Sequence, residues 1–339
     1  MLEKPDLKDE VIINCLQTEY GLRVEDIAFL PLGADLNTAV YRVVTSDEMA
    51  YFLKLRSGEF NHASVAVPKY LHDNGLRQII PPLATQFAQL WASLAPYHVI
   101  LYPYVHGQDG FERNLTDRQW VEFGGAMKKF HTTGFPEGIT SSIPREKFSP
   151  RWRVTVKAFL ERIEREAFAE PVAAEMADFL ALKRDAILDL VRRAGRLAEE
   201  LAEQSPESIL CHGDIHAWNL LIEDQGAFYM VDWDTLIFAP KERDLMFIGA
   251  GLGGNGHSPE EEEILFYQGY GQTPIDPFAL AYYRYERILE DIGVYCEQIF
   301  LSDEGGEDRR QSFEYLQSNF LPAGTIELAY RSDRSRMDR

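Results

Sequence analysis

Cysteine is scarce in this sequence: three occur among 339 residues, at Cys15, Cys211 and Cys296, with no C-x-x-C spacing. That excludes a disulfide framework and a zinc site built on paired cysteines. Long apolar runs are missing too; none approaches the ~18 residues that a membrane-spanning helix needs. The opening MLEKPDLKDE carries neither a basic n-region nor an apolar h-region. No signal peptide is expected, and the chain reads as a reduced, soluble, cytoplasmic protein. Basic charge is also in short supply, with 34 Lys and Arg against 54 Asp and Glu, a formal net charge of −20. Such a surface repels phosphate backbones, so neither nucleic acid nor an anionic membrane is an expected partner, whereas a small cation is.

What is present suffices for a sizeable core. The composition is 45% hydrophobic and 12% aromatic, which excludes wholesale disorder, and the length suits two packing units. Residues 7–20 show helical spacing of Leu7, Val11, Ile12 and Leu16. Strand-like runs follow at 24–32, 39–45, 50–56, 83–91 and 97–105, with a helix at 62–74 that Asn74-Gly75 ends. From Thr116, an N-cap with Gln119 in the capping-box position, the pattern is mainly helical. Helices are expected at 116–131, 150–168, 171–204, 240–248, 259–270, 276–301 and 307–318, with short strands at 209–211, 220–222 and 228–231. The expected organisation is α+β, with an antiparallel sheet and helix over 1–104, a helical part over 105–330 and a frayed tail over 331–339. Residues 1–104 carry 8 basic and 12 acidic side chains and the remainder 26 and 42, so most of the negative charge belongs to the helical part.

The chemistry concentrates in Ile209–Asp234, ILCHGDIHAWNLLIEDQGAFYMVDWD. Two short strands joined by a turn at Glu223–Gly226 would bring Asn219 and Asp232 to the open end of a hairpin. An amide oxygen and a carboxylate there are hard ligands suited to Mg²⁺. Asp214 would lie alongside, free to orient a hydroxyl nucleophile, with His212 supporting the loop. The layout H-x-D-x-x-x-x-N, then a strand and D-x-D, is that of kinase-type phosphoryl transfer. One such residue would be an ordinary turn cap; four at this spacing are not. Lys54 is the only lysine in a strand-like run of the first 105 residues and is the candidate for holding nucleotide phosphates. The turn Leu32–Thr38 could cover phosphates with backbone N–H groups. A G-x-G-x-x-G string at Gly249, Gly251 and Gly254 follows no βαβ pattern and reads as a loop ending at the Ser258 cap, not as a dinucleotide site.

These residues resemble the aminoglycoside phosphotransferase family, in the kinase-like superfamily that also holds choline and methylthioribose kinases. The signature H-G-D-x-x-x-x-N corresponds to His212–Asn219, the metal aspartate to Asp232, the strand lysine to Lys54 and the phosphate loop to Gly33–Thr38. Within the family, LYPYVHGQDGF (101–111), NLTDRQW (114–120), PKERDLMFIG (240–249) and YYRYERILEDI (282–292) are similar to the spectinomycin-phosphorylating branch. The resemblance implies a bilobal protein-kinase-like fold and transfer of a γ-phosphoryl group from ATP (or GTP) to a hydroxyl of a small cationic aminocyclitol or aminoglycoside. It implies Asp214 as the catalytic residue, Asn219 and Asp232 as Mg²⁺ ligands, and nucleotide contacts from Lys54, Gly33, Asp35, Asn37 and Thr38. A hinge at Tyr102, Tyr104 and Val105 would offer backbone groups to a purine.

One departure stands out. Kinases pair the strand lysine with a helix glutamate, yet residues 61–72 contain no acid and His62 stands near its place. Glu59 is one substitute; the nucleotide alone is another. Acceptor contacts are expected from Asp234, Glu286, Glu290 and Asp291, although a solvated helix face explains the last three as readily. Two rival readings remain: a metal-dependent phosphoesterase using His212, Asp214, His216 and Asp232, and a nucleotide-binding pseudokinase motivated by the absent glutamate.

Overall fold

Period-two alternation turns Ala39, Tyr41 and Val43 to one side of the strand Thr38–Thr45, and Leu53 and Leu55 to the same side of Ala50–Ser57. With Val99 and Leu101 they form one apolar layer, closed by Ile12 and Leu16 of the first helix. The opposite face of these strands is therefore left to Lys54, Ile100 and Tyr102, which the strand register brings side by side.

The computed structural model describes residues 3–33, 35, 37–250, 256–302, 306–322 and 324–334. Its elements begin with α1 (Asp9–Tyr20), β1 (Val24–Leu30), β2 (Thr38–Thr45), β3 (Ala50–Ser57), α2 (Ala63–Asp73), β4 (Ala92–Leu94), β5 (Tyr97–Pro103) and β6 (Gly107–Asp109). There follow α3 (Asp117–Thr132), α4 (Glu137–Thr140), α5 (Arg151–Ile163), α6 (Pro171–Gln204), β7 (Ile209–Cys211), β8 (Leu220–Glu223), β9 (Phe228–Met230) and β10 (Ile237–Ala239). The last described elements are α7 (Glu242–Leu245), α8 (Pro259–Tyr270), α9 (Pro277–Phe300), α10 (Gly306–Ser318) and α11 (Thr325–Arg334). The fold class is α+β, as expected, with an antiparallel sheet near the N-terminus and helices dominating the rest.

Contacts divide the chain into two compact units. The first comprises Met1–Pro144, His212–Ile237 and Phe247–Gln272. It holds a five-stranded antiparallel sheet, β1-β2-β3-β5-β4, and a three-stranded one, β6-β8-β9. Helix α3 starts at the Thr116–Gln119 capping box and crosses α8 at two glycines. A Cβ on Gly124 would lie 2.0 Å from the Phe266 carbonyl oxygen, and one on Gly269 1.8 Å from that of Val121; only bare backbone permits this approach.

The second unit comprises Arg145–Cys211, Phe238–Met246 and Thr273–Arg339. Its long helices α6 and α9 both begin with a proline behind an acidic N-cap, Glu170 and Asp276, each accepting backbone N–H bonds from the first turn. Apolar stripes such as Ile187, Leu190, Leu197 and Leu201 on α6 and Tyr285, Leu289 and Ile292 on α9 supply its core.

Two expectations are corrected. Residues 83–91 form no strand: Thr85 closes a turn, its N–H donating to Gln89 O at 2.7 Å while its hydroxyl oxygen accepts from Phe87 and Gln89. The tail is not frayed from residue 331, because α11 continues to Arg334, anchored by buried Asp333 at 2.6 Å from Arg193. Residues 335–339 lie outside the described residues, as do Ala34, Leu36, Gly251 and Gly254 of the two glycine-bearing turns.

Candidate active site

The site grows from the hairpin in the first unit. Strands β8 and β9 pair with Leu220 opposite Met230, and Val231 N–H donates to Asn219 O at 3.0 Å. This register sets Asn219 beside the segment that leads into Asp232. Upstream, Gly213 has φ +88°, and a Cβ there would lie 2.3 Å from Thr235 O. Glycine is therefore required for the loop to pass the turn after β9.

Buried His212 staples the two segments. Its Nδ1 accepts the Asp214 N–H at 3.4 Å; in the tautomer this fixes, Nε2 donates to Val231 O at 3.0 Å. Its carbonyl accepts the Thr235 hydroxyl at 2.9 Å. Asn219 Nδ2 donates to the Asp214 carbonyl at 2.7 Å, so the amide nitrogen is committed to the loop and the amide oxygen is the atom left for a ligand. His216 accepts the Trp218 N–H at Nδ1 (3.3 Å) and brings Nε2 to 3.3 Å from Asp214 Oδ2. Asp232 sits at φ 62° and ψ 68°, a left-handed conformation costing a non-glycine residue about 1–2 kcal/mol. Such strain collects where the direction of a side chain matters.

Lys54 meets two carboxylates, Asp232 Oδ1 at 2.7 Å and Asp234 Oδ2 at 2.6 Å. Burial alone would lower its pKa, but the two aspartates outweigh that and hold it above the ordinary lysine value. Around Asp232, desolvation opposes ionisation, yet the Lys54 ammonium wins and keeps the carboxyl below its usual range. Arg56, two residues along β3 on the same face, reaches Asp234 at 3.1 Å, Asp35 at 2.7 Å and Thr38 Oγ1 at 3.0 Å. Asp35 in turn accepts from Asn37 N–H and the Thr38 hydroxyl, both at 2.9 Å, and Asn37 O accepts Ser57 N–H at 2.8 Å. Gly33 stands at φ +83°, and beyond its chain neighbours no described residue comes within 4 Å of where a Cβ would stand.

Tyr102 lies opposite Phe52 on the Lys54 face of the sheet, its hydroxyl pKa raised by burial. Tyr104 N–H donates to Ala50 O at 3.2 Å, closing the ladder before Val105 leads into β6. His62 packs its ring on Phe60 and Trp91, at 5.4 and 5.1 Å, in an aromatic cluster with His98, rather than on the lysine. In the second unit, Glu286 pairs with Arg153 at 3.0 Å, Glu290 approaches Arg243 at 3.6 Å and Asp291 meets Arg287 at 3.0 Å. Glu286 corrects the expected acidic wall: it is a buried ion-pair member, only 6% exposed. Asp234, expected at the acceptor, bridges the two strand cations.

Sequence reasoning missed Arg56, although its period-two spacing from Lys54 was the signal. It weighed His216 only as a metal ligand, whereas the ring braces Asp214.

A loop aspartate upstream of an Asn–Asp pair, with a strand lysine close by, contains the recurring parts of kinase-type phosphoryl transfer. Residues 28–285 match the phosphotransferase enzyme family, APH, and the chain belongs to that family: it is an O-phosphotransferase of kinase-like fold. It is 34% identical to a spectinomycin phosphotransferase, APH(9)-Ia, solved in complex with ADP and spectinomycin. That likeness covers 97% of this chain and 99% of that one, with a TM-score of 0.89. The AMP-bound complex of APH(9)-Ia gives 33% identity, coverage of 96% and 98%, and a TM-score of 0.84. A choline kinase from Streptococcus pneumoniae shares the fold at 15% identity, covering 95% of this chain and 99% of that one with a TM-score of 0.54. No curated protein matches by sequence.

Proposed function

We propose that the protein transfers the γ-phosphoryl group of ATP (or GTP) to a hydroxyl of a small cationic aminocyclitol, with spectinomycin the foremost acceptor, and so inactivates the antibiotic. The observation that carries this reading is the 34% identity, over 97% of the chain, to an enzyme solved with ADP and spectinomycin. Asp214 orients the acceptor hydroxyl and takes its proton as the oxygen attacks. His212 keeps the loop that carries Asp214 fixed to β9. Lys54 holds the nucleotide phosphates, and the Asp35-centred turn from Gly33 to Thr38 covers them. The same reading makes 1–104 the nucleotide lobe and 105–330 the acceptor lobe, joined at a hinge where Tyr102, Tyr104 and Val105 meet the purine.

Asn219 and Asp232 would hold Mg²⁺. Their oxygens are hard donors at one end of the hairpin, and the amide nitrogen of Asn219 is already committed to Asp214 O. Bound there, the ion supplies charge neutralisation to the phosphates. The phosphoesterase reading is disfavoured by His212, whose two ring nitrogens both serve the backbone. The pseudokinase reading loses its motive, since Lys54 has carboxylate partners without a helix glutamate.

The test is ATP consumption by the purified protein with spectinomycin, other aminoglycosides, choline and methylthioribose offered singly. Turnover confined to spectinomycin supports the reading. Turnover with choline or methylthioribose alone contradicts the acceptor, and none with any of them contradicts the whole.

A further inference from the structure

In a phosphotransferase the lysine that faces the nucleotide needs a fixed anion, because a buried ammonium left without a partner is strongly destabilising. Here α2 supplies none. Asp232 cannot be that anchor alone, since the proposed reaction assigns its carboxylate to the metal and its side chain is 50% exposed. Asp234 differs on both counts. Its side chain is 15% exposed, and its single atom Oδ2 accepts from Lys54 at 2.6 Å and Arg56 at 3.1 Å. Arg56 extends the chain of contacts to Asp35 and Thr38 of the Gly33–Thr38 turn.

We propose that Asp234 is the positioning residue for both strand cations, doing what a helix glutamate does in other kinases, and that Arg56 is a second phosphate-binding cation tied through Asp35 to the covering loop. The inference rests on the phosphotransfer reading above. With Asp234 in place, Asp232 can turn toward a divalent ion without leaving Lys54 unpaired. One carboxylate thus sets the lysine, the arginine and, through Asp35, the loop. Two cations beside each other also suit a triphosphate better than one, and the guanidinium offers a planar fork matched to phosphate oxygens.

The experiment measures Mg·AMP-PNP affinity by calorimetry, with KM for ATP and for acceptor and the Mg²⁺ dependence of turnover. The variants are Asp234→Asn, Asp234→Glu and Arg56→Gln, each checked by thermal melting. Asp234→Asn should weaken nucleotide binding by at least about 30-fold, the low end for truncating one partner of a buried charge pair. It should leave acceptor KM and the half-saturating Mg²⁺ concentration within about twofold, and Asp234→Glu should recover much of the loss. Arg56→Gln should weaken nucleotide binding in the same direction, and it carries the test if Asp234→Asn fails to fold. A rise in acceptor KM alone makes Asp234 an acceptor residue and overturns the inference. A shift confined to the Mg²⁺ requirement makes it a metal ligand and does the same. If the parent binds Mg·AMP-PNP and the variants bind it equally, the inference fails while the phosphotransfer reading stands; if the parent does not bind it, both fail.

Discussion

Lys54 on β3 donates to Asp232 Oδ1 at 2.7 Å across 178 residues of chain. The contact joins the sheet to the end of the β8–β9 hairpin within the first unit.

Asp232→Ala should abolish Mg²⁺-dependent nucleotide binding, because Asn219 would be the sole remaining ligand of the pair. Titration with Mg·AMP-PNP at rising Mg²⁺ checks it; affinity equal to the parent's would remove Asp232 from the metal site. Zn²⁺ in place of Mg²⁺ should inhibit, since a softer ion favours nitrogen and sulfur donors. Zn²⁺-activated release of phosphate from monoesters would instead favour the phosphoesterase.

Gly213→Ala tests the loop geometry. The added Cβ would collide with Thr235 O and the residue would be forced to hold φ +88°. A loss of about 1–3 kcal/mol in stability is expected, with turnover falling further than the melting temperature accounts for. Unchanged melting and turnover would show that the turn has room to spare.

Glu286 should leave a mark on stability against pH. Burial pushes its pKa up from 4.5 to about 7; Arg153 counters this, while Glu290 and Glu146 add to it. Between those values the folded chain keeps a proton that the unfolded chain gives up, so stability falls as pH rises through this window. The full effect is at most about 3 kcal/mol. Melting curves from pH 4.5 to 8 should show a decline in the parent that is flatter in Glu286→Gln. Parallel profiles would mean that the carboxyl ionises as freely in the fold as outside it.

Local spacing made the hairpin and the Thr116 cap legible, because each is decided by residues a few positions apart. The same parity that exposes Lys54 on one sheet face exposes Arg56 as well. Lys54 takes carboxylates 178 and 180 residues away, and Arg56 takes ones 21 and 178 residues away; no local pattern encodes that choice. Glu286 misled for a related reason: i,i+4 spacing with Glu290 looks like a solvated face until Arg153 of another helix is packed against it. Asp333 anchors α11 in the same way, through partners on α6 and α9.

The proposed reaction rests on Asp214 taking the acceptor's proton. Asp214→Asn keeps the shape of the side chain and removes the base, and loss of general-base help costs ~10²–10⁴-fold in rate. The deciding measurement is phosphorylated spectinomycin formed per enzyme in a single-turnover reaction with Mg·ATP, alongside Mg·AMP-PNP affinity. Transfer by Asp214→Asn is expected to fall by at least about 100-fold while nucleotide affinity stays within a factor of about two of the parent's. Transfer at the parental rate in that variant would contradict it.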